Sequence, residues 1–148
     1  MIIRTYKDED LNAISKLFFE TVHTVNAKDY TKTQLFAWAN CEDSLKKRFK
    51  DLREQNTLVA QLGADIIGFG SIDKSGYLDL LFVHKDFQGQ GVATMLCNLL
   101  EKDFQTIKTY ASVTAKPFFE RRGYTVVNIR ETERSGVKLK SFEMVKII

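Results

Sequence analysis

The segment Leu78–Ala93 constrains the fold of this chain more than any other feature. The apolar run Leu78-Asp79-Leu80-Leu81-Phe82-Val83 has strand length, and after His84-Lys85-Asp86-Phe87-Gln88 it enters Gly89-Gln90-Gly91. From Val92 the apolar residues Met95, Leu96, Leu99, Leu100 and Phe104 recur at helical spacing, which predicts a helix over about Val92–Asp103 with these residues buried. A strand therefore opens into a helix through a glycine loop. Such a loop gathers backbone N–H groups at a helix N-terminus, where unpaired donors and the helix dipole favour a phosphate or pyrophosphate. An ordinary strand-to-helix turn also uses glycine for positive φ, so spacing alone leaves both readings open. A P-loop is excluded by the absence of Gly-Lys-Ser/Thr. The dinucleotide fingerprint is excluded because Gly89-Gln90-Gly91-Val92-Ala93-Thr94 lacks its third small residue.

Around this unit the hydrophobic period switches twice. Ile2–Tyr6 reads as a first strand, and Asp8 can cap a helix whose stripe is Leu11, Ile14, Leu17, Phe18 and Val22, ending near His23–Asn26. A second helical region starts at Thr31–Thr33, carries Leu35, Phe36 and Trp38, breaks near Asn40 and resumes over Ser44–Gln55 with Leu45, Phe49 and Leu52 inward. Lys46, Lys47, Arg48 and Lys50 then fall on its wet face. From Thr57 the period shortens. Thr57–Leu62, Ile66–Ile72 and Tyr77–Val83 read as a three-stranded antiparallel meander. After the glycine-loop helix come a strand over Ile107–Val113 and a short helix over Ala115–Arg122, with Pro117 in its first turn and Gly123 at its end. A hairpin of Tyr124–Glu131 and Val137–Ile147, turning at Ser135-Gly136, closes the chain.

Pro117 is the only proline, and no linker or repeat divides the 148 residues, so a single domain over 1–148 is expected. A hydrophobic content of 44% with 28% charged residues excludes a disordered or fibrous chain. The net charge of +3 suits an anionic ligand but falls short of a nucleic-acid footprint. No apolar run approaches the roughly 18 residues of a membrane span, and Met1–Asp10 carries charges where a secretory leader is apolar. The expected location is the cytoplasm, with Cys41 and Cys97, each in a helix-like stretch, as free thiols; no metal-ligand spacing is present.

Gln88-Gly89-Gln90-Gly91-Val92-Ala93 matches the Q/R-x-x-G-x-G/A signature of the GNAT superfamily of acetyl-CoA-dependent N-acyltransferases. Val83-His84-Lys85-Asp86-Phe87 fills the family's preceding V-x-P-x-x segment, with Lys85 where proline is common. Ala115-Lys116-Pro117-Phe118-Phe119-Glu120-Arg121-Arg122-Gly123-Tyr124 resembles its A-x-x-x-[FY]-[FY]-x-x-x-G-[FY] helix. Val25-Asn26-Ala27-Lys28-Asp29-Tyr30-Thr31, with Gln34 and Ala37-Trp38, is similar to a bacterial subgroup whose acceptors are mostly unknown. The resemblance implies an α+β fold of three layers, α/β/α, around a mixed, centrally splayed sheet of about seven strands.

It also implies a site. Backbone N–H groups of Gln88, Gly89, Gln90, Gly91, Val92 and Ala93, with Thr94, would hold the pyrophosphate of coenzyme A. Leu81, Phe82 and Val83 would run beside the pantetheine arm, with Phe119 against the cofactor. In the family a bulge splays the fourth strand from the fifth, and a backbone N–H near Leu81 would polarise the thioester carbonyl. Tyr77 stands where some members carry a glutamate base, and Phe119 where many carry a tyrosine acid. Asp79, two residues from Tyr77, is either the base, directly or through water, or a carboxylate that binds a neighbouring loop or orients the acceptor. His23 is a second candidate base, and Tyr110 and Ser112 are candidate proton donors or packing residues. A coenzyme A thiol with a pKa of roughly 8.5 leaves tolerably without a dedicated acid. His23, Tyr30, Trp38 and Tyr77 would cover the acceptor end, where aromatics either cage a cationic amine or simply pack.

The expected function is therefore acetyl transfer from acetyl-CoA to a primary amine by direct attack. The acceptor is a small molecule or peptide, with no nucleic acid, membrane or metal, in a monomer or homodimer. Because Tyr77 and Phe119 replace the usual catalysts, the rival reading is a coenzyme A-binding sensor that has lost turnover. A third reading is a basic interaction module built on Lys46–Lys50.

Overall fold

The computed structural model describes residues Met1–Ile148. The strands are β1 (Ile2–Thr5), β2 (Asn56–Leu62), β3 (Asp65–Ile72), β4 (Tyr77–Val83), β5 (Thr106–Ser112), β6 (Thr125–Arg134) and β7 (Val137–Ile147). The helices are α1 (Leu11–Thr24), α2 (Lys32–Trp38), α3 (Phe49–Glu54), α4 (Val92–Glu101) and α5 (Lys116–Arg121). All seven strands join one sheet in the order β1-β2-β3-β4-β5-β7-β6. Only the β4–β5 pair is parallel, so the sheet is mixed; the glycine loop with α4 crosses from β4 to β5, and α5 crosses from β5 past β7 to the edge strand β6.

One sheet face carries α1, α2 and α3. There Ile14, Leu17, Phe18, Val22, Leu35, Leu45 and Leu52 bury against Val59, Phe69 and Leu80. The opposite face carries α4 and α5, where Val92, Leu96, Leu100 and Phe119 bury against Ile72, Leu78, Ile107 and Met144. This is the α+β, three-layer α/β/α architecture expected. The layer over β3 is unusually close because Gly68 and Gly70 face α4. A Cβ on Gly70 would lie 2.8 Å from Leu100 Cδ1, and one on Gly68 would lie 3.1 Å from Val92 Cγ1. The contact runs along the narrow Val92, Leu96, Leu100 row, so Met95 and Leu99, expected inside, remain 42% and 41% exposed.

Local differences from expectation have local causes. Asp8 does not cap α1; a 3-10 turn over Asp8–Asp10 precedes the helix. The Asp10 carboxylate accepts the Lys7 N–H at 2.8 Å and the Arg4 guanidinium. The Ser44–Gln55 helix is a 3-10 turn, Ser44–Arg48, followed by α3. That tighter winding breaks the helical stripe, leaving Phe49 exposed and turning Arg48 from the wet face toward the sheet. Cys41 lies in an exposed bend and not a helix, and both thiols are free. The closing hairpin turns through Ser135 and Gly136, both at positive φ (51° and 75°), a backbone that glycine adopts without penalty. No helix is long and apolar enough to cross a membrane.

Candidate active site

The site begins where the sheet opens. β4 pairs with β3 from Gly68↔Val83 to Ser71↔Leu80 and then at Ile72↔Leu78, so Asp79 is the extra residue of a bulge. β4 pairs with β5 only at Tyr77↔Lys108 and Leu78↔Thr109. Thr109 Oγ1 donates to the Leu78 carbonyl at 2.8 Å and pins this last shared turn. Beyond Asp79 the strands diverge around a cavity of about 1030 Å³.

At one end of the cavity lies the glycine loop. Gly89 and Gly91 take φ values of 71° and 83°, and a Cβ on either would meet nothing within 4 Å. Backbone conformation, not crowding, is thus what asks for glycine there. Gly91 is the N-cap of α4, so the free N–H groups of that helix face the opening. The Gln88 side chain donates to the Val83 carbonyl at 2.6 Å and fastens the loop to the strand. Leu81, Phe82, Val83, Gln88, Gly89, Gly91, Val92, Ala93, Thr94 and Phe119 all line the cavity. Gln90 does not; its side chain turns back toward the Asp86 carbonyl, 3.3 Å away. Phe119 is 3% exposed and packs edge-on against Phe118 and Tyr124, an apolar wall without a hydroxyl.

At the other end stand Tyr77, Asp79 and Tyr110. The Asp79 side chain is only 6% exposed and is held by a fork: Arg48 Nη1 donates to Oδ1 at 3.2 Å and Arg48 Nη2 to Oδ2. Gln55 Nε2 also donates to Oδ2, at 3.2 Å. Gln55 Oε1 in turn accepts from Ser71, and Ser71 Oγ lies 3.0 Å from Thr57 Oγ1. The bulge is therefore tied by side chains to α3, β2 and β3. Burial pushes the Tyr77 phenol up to about 12, with the Asp79 charge adding to the effect, so it stays protonated. Its ring meets Tyr110 edge-on at 5.7 Å, and the Arg130 guanidinium lies over Tyr110 at 4.2 Å.

Tyr30 and Trp38 also line the cavity, packed edge-on at 5.5 Å. The Tyr30 hydroxyl accepts the Val113 N–H at 2.9 Å and donates to the Lys140 carbonyl at 3.1 Å, and burial raises its pKa. Ser112 lines it as well, its hydroxyl accepting the Ala115 N–H at 3.0 Å. His23 is not brought into the site. Its Nε2 lies 2.8 Å from the Ala39 carbonyl and its ring packs between Phe19 and Phe36, so it joins α1 to the end of α2. Sequence reasoning missed Arg48, Gln55, Arg130 and Arg134. Arg130, Thr132 and Arg134 line the cavity at alternate positions of β6, a period-2 pattern that was readable in the sequence.

This geometry has counterparts. Residues 26–146 match the model of the acetyltransferase (GNAT) domain family. The chain belongs to the GNAT acetyltransferase family. Its members' activity, acetyl-CoA-dependent N-acetyl transfer, is the activity of this enzyme class. This GNAT chain is 34% identical over 143 residues to the uncharacterized N-acetyltransferase YafP of Escherichia coli K12, covering 96% of the chain and 93% of that protein. It superposes on a GCN5-related N-acetyltransferase of Rhodopseudomonas palustris with a TM-score of 0.93 and 31% identity, covering 99% and 95% of the two chains. The PaiA N-acetyltransferase of Thermoplasma acidophilum, solved with coenzyme A, shares the fold at a TM-score of 0.77 and 18% identity, covering 99% and 98%.

Proposed function

We propose that this GNAT enzyme moves the acetyl group of acetyl-CoA to a primary amine by direct attack. The observation that carries the reading is the continuous slot from the α4 N-terminus to the Asp79 bulge. Amide groups of the Gln88–Thr94 loop take the pyrophosphate, and the pantetheine arm lies along Leu81–Val83 in the opening between β4 and β5. A backbone N–H near Leu81, freed from the β5 ladder by the splay, donates to the thioester oxygen.

The neutral amine, held about 3 to 3.5 Å from the carbonyl carbon, attacks it with its lone pair. The tetrahedral adduct collapses by breaking the C–S bond, releasing the coenzyme A thiolate, and the nitrogen gives up one proton. Asp79, the only carboxylate lining the cavity, receives that proton through a water: its Oδ1 accepts a single hydrogen bond from Arg48 and keeps a lone pair free. Phe119 supplies no proton, and the thiolate leaves without a dedicated acid. Tyr110 and Ser112, both lining the cavity, are the hydroxyls that could return a proton to it. His23 has no part in the step.

Calorimetric titration of acetyl-CoA into wild type and Gly91→Glu, then thiol release against amines, tests this reading. Binding abolished by Gly91→Glu, together with amine-dependent thiol release that Asp79→Asn slows with an altered pH profile, is the expected result. Unchanged affinity in Gly91→Glu refutes the loop assignment. An unaltered rate and profile in Asp79→Asn retires Asp79 from proton transfer. Tight binding with no release from any amine favours the sensor reading.

A further inference from the structure

The chain has seven arginines, and four are ion-paired: Arg4 with Asp10, Arg48 with Asp51 and Asp79, Arg53 with Asp8, and Arg122 with Glu101. The three without an acidic partner, Arg121, Arg130 and Arg134, all line the cavity. Arg121 sits on α5, on the same sheet face as α4 and its phosphate loop, where the coenzyme accounts for a cation. Arg130 and Arg134 have no such explanation. They belong to β6: Arg130 stacks on Tyr110 beside Tyr77, on the sheet face away from α4, and Arg134 lies four residues further along the same strand, next to the hairpin turn.

The acceptor end is thus one-sided in charge. Its one lining carboxylate, Asp79, is already held by Arg48. Glu143 shares the face of Tyr110 across the β5–β7 ladder, but it forms no ion pair with Arg130 and does not line the cavity. The Ser44 hydroxyl, one 3-10 turn from Arg48, lines the same cavity and is buried without a hydrogen-bond partner. A polycationic acceptor would meet repulsion here, whereas a carboxylate would find the planar forks of guanidinium groups and a free donor.

Building on the acetyl-transfer reading, we propose that the acceptor is an amine that carries a carboxylate, and that Arg130, assisted by Arg134, binds that carboxylate and sets specificity. The amine then points to the thioester while the carboxylate anchors the far end of the molecule. Arg130 is a specificity residue and takes no part in proton transfer.

The test compares ω-amino acids with their own carboxamides, and with polyamines, at saturating acetyl-CoA. The acid is expected to exceed its amide in kcat/KM by about tenfold or more, the worth of a charge-assisted hydrogen bond. Arg130→Gln should bring the pair to near equality with an unchanged KM for acetyl-CoA, and Arg130→Lys should retain part of the preference. Amides or polyamines accepted as well as the acids, or a preference that survives in the Arg130→Gln/Arg134→Gln double variant, overturns the proposal while leaving acetyl transfer intact. Bound acetyl-CoA with no transfer to any amine overturns the acetyl-transfer reading and this proposal together.

Discussion

Arg48→Met is the substitution that best tests whether the bulge is held by charge. In the wild type Arg48 bridges Asp51, whose side chain is 48% exposed, and Asp79, whose side chain is 6% exposed. Losing the Asp51 contact costs little, because water replaces it. Losing the Asp79 contact leaves a nearly dry carboxylate with one 3.2 Å hydrogen bond from Gln55. Removing one partner of a fully buried pair costs about 3 to 5 kcal/mol. The Arg48 side chain is itself 37% exposed, and the cavity admits water to the bulge, so about 2 to 3 kcal/mol is the expected loss once that screening is allowed for. Asp79→Asn keeps an acceptor for Arg48 and should cost only about 1 kcal/mol.

The double variant Arg48→Met/Asp79→Asn removes the stranded charge, so it should be more stable than Arg48→Met alone, with a coupling of about 1 to 2 kcal/mol. Urea unfolding of the four proteins, followed by circular dichroism at constant m, measures all the terms. Strictly additive costs, or a loss below about 0.5 kcal/mol in Arg48→Met, would show that the ion pair does not organise the bulge.

Three other outcomes follow from packing and titration. Gly70→Ala must displace Leu100 and should lose about 1 to 3 kcal/mol, seen as a fall in Tm of a few degrees; an unchanged Tm would mean α4 stands off from β3. Burial opposes ionisation of Glu101, but hydrogen bonds from Arg122 and Tyr124 and the Lys146 charge outweigh it and hold the carboxyl below its usual range. Its stabilisation is therefore complete above the unfolded carboxyl pKa and is lost as pH falls through the lower folded value, so Glu101→Gln should flatten the decline of stability on acidification; an identical acid slope would contradict this. With the Cys97 thiol pushed up to about 12 by burial, a thiol-reactive disulfide should modify only the exposed Cys41 in the native protein, and rapid titration of both thiols would refute the placement of Cys97.

What the sequence disclosed depended on how local the cause was. The glycine loop was legible because its requirements lie within six residues: two glycines at positive φ, a helix start, and a glutamine that reaches back to Val83. The hairpin turn at Ser135-Gly136 and the α2 start, with its Thr31 and Gln34 capping box, were local in the same way. Arg48 was misplaced because a lysine-rich run has no feature that tells a 3-10 turn from an α-helix, and one residue of rotation moves a side chain from solvent to sheet. His23 is expected at the acceptor end because in the family the α1–α2 region covers it, but α1 turns its ring to the Ala39 carbonyl.

The proposed acceptor end is assembled from α1, α2, the Ser44–Arg48 turn, β4, β5 and β6, so no one segment discloses it. The alternation of Arg130, Thr132 and Arg134 is legible in the sequence, but that it matters appears only when the charges are summed in space. A net charge of +3 spread over 148 residues says little, yet every arginine without an acidic partner borders one cavity whose single carboxylate is already taken. Surface arginines scattered by chance would pair with nearby acids as often near the slot as elsewhere. On the acetyl-transfer reading proposed above, the anions that complete them come from outside the chain: the coenzyme beside α5, and the carboxylate of the acceptor at β6.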